Sequence, residues 1–310
     1  MNYLILSQII LGILFLKFYK FLPVLETKNN KKIYSASYFF AISLLSYFIF
    51  SSFPTADKIT LIFFPLAAFV LGAFDDYKNI NPWLRLLILT ILTLILITYN
   101  GDFNLNFISF NFKIYKIDFP FDIFFTCLCF LLLINAMNFT DGINCLTGFI
   151  FLFFYSYIGY RIGIQVELIF IIIISIIFFL ILNAKNKCFM GDGGVYLLSF
   201  LIAQLIILSF KKNYQSFQAE EILLLLYLPG FDLFRLFLDR IFKKKNPFLG
   251  DKNHLHHFLK NKLGLTKTII IYMCSLMFPI FLYNFFLVNN FICILICVIL
   301  YLSILNYAKN

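Results

Sequence analysis

Leu168-Ile-Phe-Ile-Ile-Ile-Ile-Ser-Ile-Ile-Phe-Phe-Leu-Ile-Leu182 decides the fold. It is the core of an apolar segment, 164–182, whose single charged residue is Glu167. About 20 apolar residues are enough to cross the hydrocarbon of a bilayer as a helix. The same reading, carried outward in both directions, gives further candidate spans at 3–22, 35–53, 59–74, 83–99, 121–138 and 145–160, then at 194–210, 219–240, 268–287 and 291–307. Of the 310 residues, 62% are hydrophobic, 20% aromatic and only 13% charged. A soluble domain carries about 25% charged residues, so one water-facing core cannot hide this much apolar surface and lipid must be its solvent. Met1 to about Leu22 lacks a basic leader and a small-residue cleavage site, and reads as the first span. The chain reads as one integral-membrane domain, 1–310, an all-α polytopic bundle.

Lys and Arg set the orientation. With the N-terminus outside, 19 of the 25 basic residues fall on one side of the membrane, and the six others are Lys58, Lys113, Lys116, Arg161, Lys211 and Lys212. The richer side is cytoplasmic by the positive-inside rule. The formal net charge of +10 therefore anchors loops and gives no reason to invoke nucleic acid, since no basic stretch lies in a soluble domain. Five of the seven cysteines (Cys127, Cys129, Cys274, Cys293 and Cys297) fall inside predicted spans as small apolar packers, not as a disulfide framework. On the outer side, alternation in Asn104-Leu-Asn-Phe107 and Lys113-Ile-Tyr-Lys-Ile117 predicts a small hairpin.

Four polar islands interrupt the apolar pattern, and on this topology all four face the cytoplasm. Asp75-Asp76, with Lys78 after them, end the third span. Two carboxylates at the negative end of a helix dipole are disfavoured unless they work. They suit a hard cation or a proton, although Asp76 could instead cap the next helix before Asn81-Pro82. The second island runs from Asn135 through Asn138, Asp141-Gly142 and Asn144 to Gly148. Asn138 and Asp141 share a helix face, and a capped turn is the plainer alternative. The third, Lys185-Asn-Lys187-Cys-Phe189-Met-Gly-Asp192-Gly-Gly194, places a glycine-rich turn at a helix N-terminus. That is a setting for phosphate, which beside Asp192 implies an intervening divalent cation. The fourth, Asp239-Arg240 through Lys243-Lys-Lys245 and Pro247-Phe248 to Asp251, His254, His256 and His257, contains every histidine in the chain. Three neighbouring histidines without a fourth ligand make a poor zinc site and a better anion site, while the lysines also meet lipid headgroups.

Read together, the islands resemble those of the polyprenyl-phosphate N-acetylhexosamine-1-phosphate transferases (glycosyltransferase family 4). The carriers are Phe74-Asp-Asp76, Asn135-Ala-Met-Asn138-Phe-Thr-Asp141-Gly142, Phe189-Met-Gly-Asp192-Gly-Gly194 and Pro247-Phe248…Asp251-Lys-Asn-His254-Leu-His256-His257. They occur in family order over about residues 60–270. The histidine-loop form is that of the glycan-initiating branch; the phospho-N-acetylmuramoyl-pentapeptide transferases are the alternative, and a membrane transporter the alternative of another class. Pro229-Gly230 and Asp232 within the ninth span are the one feature with a transporter's midplane character.

The resemblance implies a bundle of ten or eleven helices in the bacterial inner membrane, with a cytoplasmic cleft that uses Mg²⁺ or Mn²⁺. It implies transfer of a HexNAc-1-phosphate, GlcNAc-1-phosphate in the favoured case, from a UDP-sugar to polyprenyl (undecaprenyl) phosphate. UMP leaves, and a cell-surface glycan such as O-antigen or teichoic acid is begun. By position it assigns Asp192, Asp76 and Asn138 to the metal. Asp75, Asp76, Asp141 and Asp192 take the chemistry, and Phe189 takes the uracil. Asn144, His254, His256, His257, Lys78, Lys187 and Arg240 take the substrates. Homodimers occur in the family, and a homodimer is compatible with this chain. The chain departs from the family pattern at Asn144 (an acid there), Cys145 (Gly), Val195 (Ser) and across Lys32-Ile-Tyr-Ser-Ala-Ser-Tyr-Phe39 (a Pro and a Gly pair).

Overall fold

The computed structural model describes residues 2–26, 32–51, 56–162, 165–213, 217–244, 253–286 and 288–309. Among these, every predicted span is a helix: α1 Asn2–Phe18, α2 Ser37–Phe50, α3 Ala56–Lys78, α4 Pro82–Tyr99, α5 Phe121–Thr140, α6 Leu146–Ile162, α7 Val166–Ala184, α8 Gly191–Lys212, α9 Ala219–Phe242, α11 Leu265–Phe285 and α12 Asn290–Lys309. The addition is α10, Leu255–Leu263, a nine-residue helix inside the fourth island. Among the described residues eight helices are long and apolar enough to cross a membrane, and α2 and α6 are shorter apolar helices. The chain is thus an all-α, multi-pass membrane protein. Helix α9 is long enough but carries Glu220, Glu221, Asp232, Arg235, Asp239 and Arg240, and its Asp232 accepts the Leu255 N–H at the start of α10.

The centre of the bundle is α8, buried on every side from Gly193 to Phe210. A helix that is apolar all round belongs inside a bundle, and α3, α5, α2 and α6 wrap this one. At one end of the bundle, Phe107–Ser109 (β3) pairs antiparallel with Ile114–Lys116 (β4), with Ile108 opposite Tyr115. The predicted hairpin is present. At the other end, Val24–Glu26 (β1), Lys32–Ser35 (β2) and Cys188–Phe189 (β5) form a three-stranded sheet in that order. β2 runs parallel to β5 with Tyr34 opposite Cys188 and Ser35 opposite Phe189. The departing segment that begins at Lys32 is thereby tied to the strand that leads into α8.

All six basic residues of the poorer side lie against a partner. Lys58 donates to the Ser51 carbonyl (3.0 Å) and Lys211 to Asn106 (2.6 Å). Lys116 pairs with Asp118, Arg161 with Glu221 and Lys212 with Asp57, and Lys113 lies over the Tyr115 ring.

Candidate active site

Glycine contact brings the first and third islands together. A Cβ on Gly72 would stand 2.5 Å from the backbone of Asp192, and one on Gly193 would stand 3.1 Å from the Ala73 nitrogen. Backbone therefore meets backbone where α3 ends and α8 begins. That approach delivers Asp76 to the open N-terminus of α8, where its carboxylate accepts the N–H of Asp192 (2.9 Å) and of Gly193 (3.3 Å). The free N–H groups that the sequence offers to phosphate are thus filled by Asp76, which caps α8. The cap before Pro82 is Asn81, whose side chain accepts the Trp83 N–H at 3.0 Å. Gly191 takes φ +74°, and a Cβ there would meet Asp76 Oδ2 at 2.5 Å and the Phe189 ring at 3.0 Å.

Asp75 is buried and fully occupied. It accepts from Arg85 (2.7 Å), from the Ile80 N–H (2.7 Å) and from the Tyr196 hydroxyl (3.3 Å). Arg85 also reaches within 3.8 Å of Asp192 Oδ2, and the Asp192 carboxyl, partly exposed, sits beside those of Asp75 and Asp76. In the sequence Arg85 is one of the 19 basic residues of the richer side and carries no further signal. Nothing local marks it, because its partners are 10 and 107 residues away in the chain.

Asp141 closes the C-terminus of α5. Burial and the neighbouring Asp76 push its carboxyl up to about 6, while the Thr147 hydroxyl and the Gly191 N–H pull the other way. Asp76 therefore repels both Asp141 and Asp192 at the junction of α3, α5 and α8. Asn138 lies one turn back, its carbonyl accepting the Asp141 N–H. Asn144 is drawn aside by Asn186, and Cys145 takes φ +67° while donating its N–H to Asn183 Oδ1 (2.5 Å). Val195, in place of the family's serine, is fully buried in α8.

The fourth island is brought in by Asp232, a buried residue of α9. It accepts from Arg235 (2.7 Å), from the Tyr301 hydroxyl (3.1 Å) and from the Leu255 N–H (3.2 Å), and it lies 3.3 Å from His254 Nδ1. The residue with midplane character is thus the anchor for the start of α10. The rings of His256 and His257 stand 4.4 Å apart. A Cβ on Gly142 would meet their Nε2 atoms at 2.3 and 2.7 Å, so the second and fourth islands are in contact. Burial and the other two histidines hold the His256 imidazole down to about 3; it is neutral at pH 7. Arg240 is buried over Phe139, whose ring faces His254.

Two predicted helpers point elsewhere. Lys78 lies over Phe74 on the exposed side of its own helix, and Lys187 lies over Tyr19. Pro247, Phe248 and Asp251 fall outside the described residues.

Hard carboxylate oxygens with surplus negative charge are the donor set of Mg²⁺ or Mn²⁺. Among the described residues no three metal-binding side chains converge on one point. Mg²⁺ usually takes one or two carboxylates, with water and substrate phosphate completing its shell. The residues present fit that mode.

Fold and site together define a multi-pass membrane protein with an acidic, histidine-flanked cluster at one end of its helices. Residues 58–210 match the family model described as Glycosyl transferase family 4, and over this stretch the chain is similar to that family. It is similar to the undecaprenyl-phosphate alpha-N-acetylglucosaminyl 1-phosphate transferase of Thermotoga maritima, 29% identical over 217 residues, covering 69% of this chain and 66% of the relative. The same-named protein of Escherichia coli K12 is 26% identical over 200 residues, covering 61% and 54%. That of Haemophilus influenzae is 33% identical over 103 residues, covering 31% and 29%. The chain thus matches between about half and two thirds of the length of the first two relatives.

Proposed function

We propose that the chain transfers an N-acetylhexosamine 1-phosphate, GlcNAc-1-phosphate in the first instance, from a UDP-sugar to polyprenyl phosphate. The products are polyprenyl-diphosphate sugar and UMP, and the reaction takes place at the cytoplasmic face of the bacterial inner membrane. One observation carries this reading: Asp76 neighbours both Asp141 and Asp192 where the ends of α3, α5 and α8 come together, with the histidines of α10 against Gly142. Surplus negative charge beside polar donors suits a cation-neutralised diphosphate and little else. The names of the relatives favour GlcNAc over the muramoyl-pentapeptide donor. The use of Asp232 as an anchor for His254 removes the feature that favoured a transporter.

In the reaction an oxygen of the acceptor phosphate bonds to the sugar-bearing phosphorus of the donor. The bond from that phosphorus to the bridging oxygen breaks, and UMP leaves with the electron pair. A phosphate monoester, with its second pKa near about 6, is already largely dianionic at pH 7, so orientation matters more than deprotonation. Asp192 and Asp141 would hold Mg²⁺ or Mn²⁺, which when bound would neutralise diphosphate charge. Asp76 acts as a positioning residue, fixing the turn that carries Asp192. Arg85 holds Asp75 and limits the repulsion around Asp192. His256, being neutral, hydrogen-bonds to phosphate without adding charge, beside His254 and His257. Phe189, half-buried next to Gly191, offers its face to the uracil. Lys78 and Lys187, exposed at the rim, and Arg240 raise the local attraction for anions.

The test is UMP release from UDP-GlcNAc by the purified chain with undecaprenyl phosphate and Mg²⁺, in competition with UDP-N-acetylmuramoyl-pentapeptide. Lipid-dependent UMP that the second donor does not suppress supports the reading. Turnover of the muramoyl donor alone would transfer the assignment to the peptidoglycan branch.

A further inference from the structure

At the end of the bundle opposite the acidic cluster, a cavity of about 520 Å³ is lined by Arg161, Glu220, Tyr283, Asn284, Asn290 and Phe291, among others. Helix α9 runs from Glu220 at this cavity to Arg240 beside the histidines, which at 1.5 Å per residue is about 30 Å. The cavity is therefore a membrane thickness away from the site already described.

Its polar groups are unevenly satisfied. Arg161 is spent on Glu221, to which it donates twice (2.6 and 2.9 Å), and the Tyr157 hydroxyl bonds the same carboxylate. Glu220 uses one oxygen to accept the Asn111 N–H (3.1 Å), whereas its Oε2 is buried with no partner. On the facing helix, Asn290 Nδ2 is likewise buried and unpartnered. Both side chains are more than nine-tenths buried, and both line the cavity. An unpaired buried polar atom costs about 1–3 kcal/mol, so two in one cavity mark a site shaped for a ligand with a donor at one end and an acceptor at the other. Once the Arg161–Glu221 pair cancels, the net charge left is the single negative one of Glu220. That charge selects a cationic group. Asn290 opens α12, the positive end of a 20-residue helix, and suits an anion.

An apolar groove of about 300 Å³ adjoins the cavity and shares Asn284 with it. The groove runs along α6 and α11 between Phe153, Ser156, Tyr160, Met277, Phe281 and Phe285, and the last four of these are lipid-facing. A polar pocket at the rim that continues into an apolar groove is the shape of an amphiphile.

We propose that this cavity and groove bind a bilayer aminophospholipid. Its ammonium is held on Glu220 Oε2, its phosphate lies toward Asn290, and one acyl chain occupies the α6–α11 groove. A purely anionic headgroup has nothing to pair with Glu220 and is disfavoured.

Native mass spectrometry of the full chain tests this, after delipidation and titration with phosphatidylethanolamine and phosphatidylglycerol of matched acyl chains. One saturable phosphatidylethanolamine site is expected, favoured about tenfold over phosphatidylglycerol, the magnitude of one charge-assisted hydrogen bond. Glu220→Gln keeps the acceptor for Asn111 and should erase the headgroup preference. Ser156→Trp, at an exposed groove position, should weaken both lipids without affecting that preference. Equal binding of the two lipids, or a preference that survives Glu220→Gln in a chain with unchanged melting, overturns the proposal. None of these readouts uses the transfer reaction, so failure of that assignment would leave the result standing.

Discussion

Cys145 shows what a single departure costs. It stands where the family pattern has glycine and takes φ +67°, a left-handed conformation that costs an L side chain about 1–2 kcal/mol. Its N–H is held by Asn183, so the turn is kept despite the strain. Cys145→Gly should raise stability, net of the extra entropy of glycine in the unfolded chain, by about 0.5–1 kcal/mol. Thermal unfolding in detergent will read this, and a lower melting point would contradict it. His256 makes a second residue-level prediction. Its folded pKa is depressed to about 3, below the unfolded value near about 6.5. Below that unfolded value the unfolded chain takes up a proton that the native chain refuses, so stability is lost as pH falls from about 6.5 toward 3. Relative to His256→Gln, the parent should lose up to about 1.4 kcal/mol per pH unit in that window. Parallel melting curves between pH 7 and pH 5 would refute this.

Among the elements, the junction of α3 with α8 fixes the site. Gly72→Ala would drive a Cβ to 2.5 Å from the Asp192 backbone, which has no flexible end to yield. It should cost about 1–3 kcal/mol by overpacking, and UMP release should fall with it because Asp76 leaves the α8 N-terminus. An unchanged melting point and rate would show that the helices tolerate separation. This level was the least legible in the sequence. The spans could be read one at a time from composition, but the parallel pairing of β2 with β5 joins segments more than 150 residues apart and rests on a two-residue strand. Helix α10 was concealed by its own charges, since a polar nine-residue stretch carries no span signal. The N–H groups of α8 were legible as an anion site, yet the anion proved to be the protein's own Asp76, a partner 116 residues distant. Lys78 and Lys187, which the resemblance assigns to the substrates, are each turned toward an aromatic ring.

Across the whole molecule, sidedness and chemistry share one cause. Lysine and arginine alone separate the two faces, and the four islands then gather at the richer one. At the poorer face each of the six cations lies against an acid, an oxygen or a ring. In intact cells, a membrane-impermeant thiol reagent should label Lys116→Cys and spare Lys78→Cys until the membrane is opened; the reverse would invert the topology. The central claim, that the carboxylates at the α3–α5–α8 junction drive metal-dependent phosphosugar transfer, is tested most directly by UMP formation. The assay takes the parent chain, Asp192→Asn and an EDTA control with UDP-GlcNAc and undecaprenyl phosphate. The account predicts lipid-dependent UMP from the parent, lost with EDTA and reduced at least about 10²-fold in Asp192→Asn. Full turnover by a folded Asp192→Asn protein, or turnover indifferent to EDTA, would contradict it.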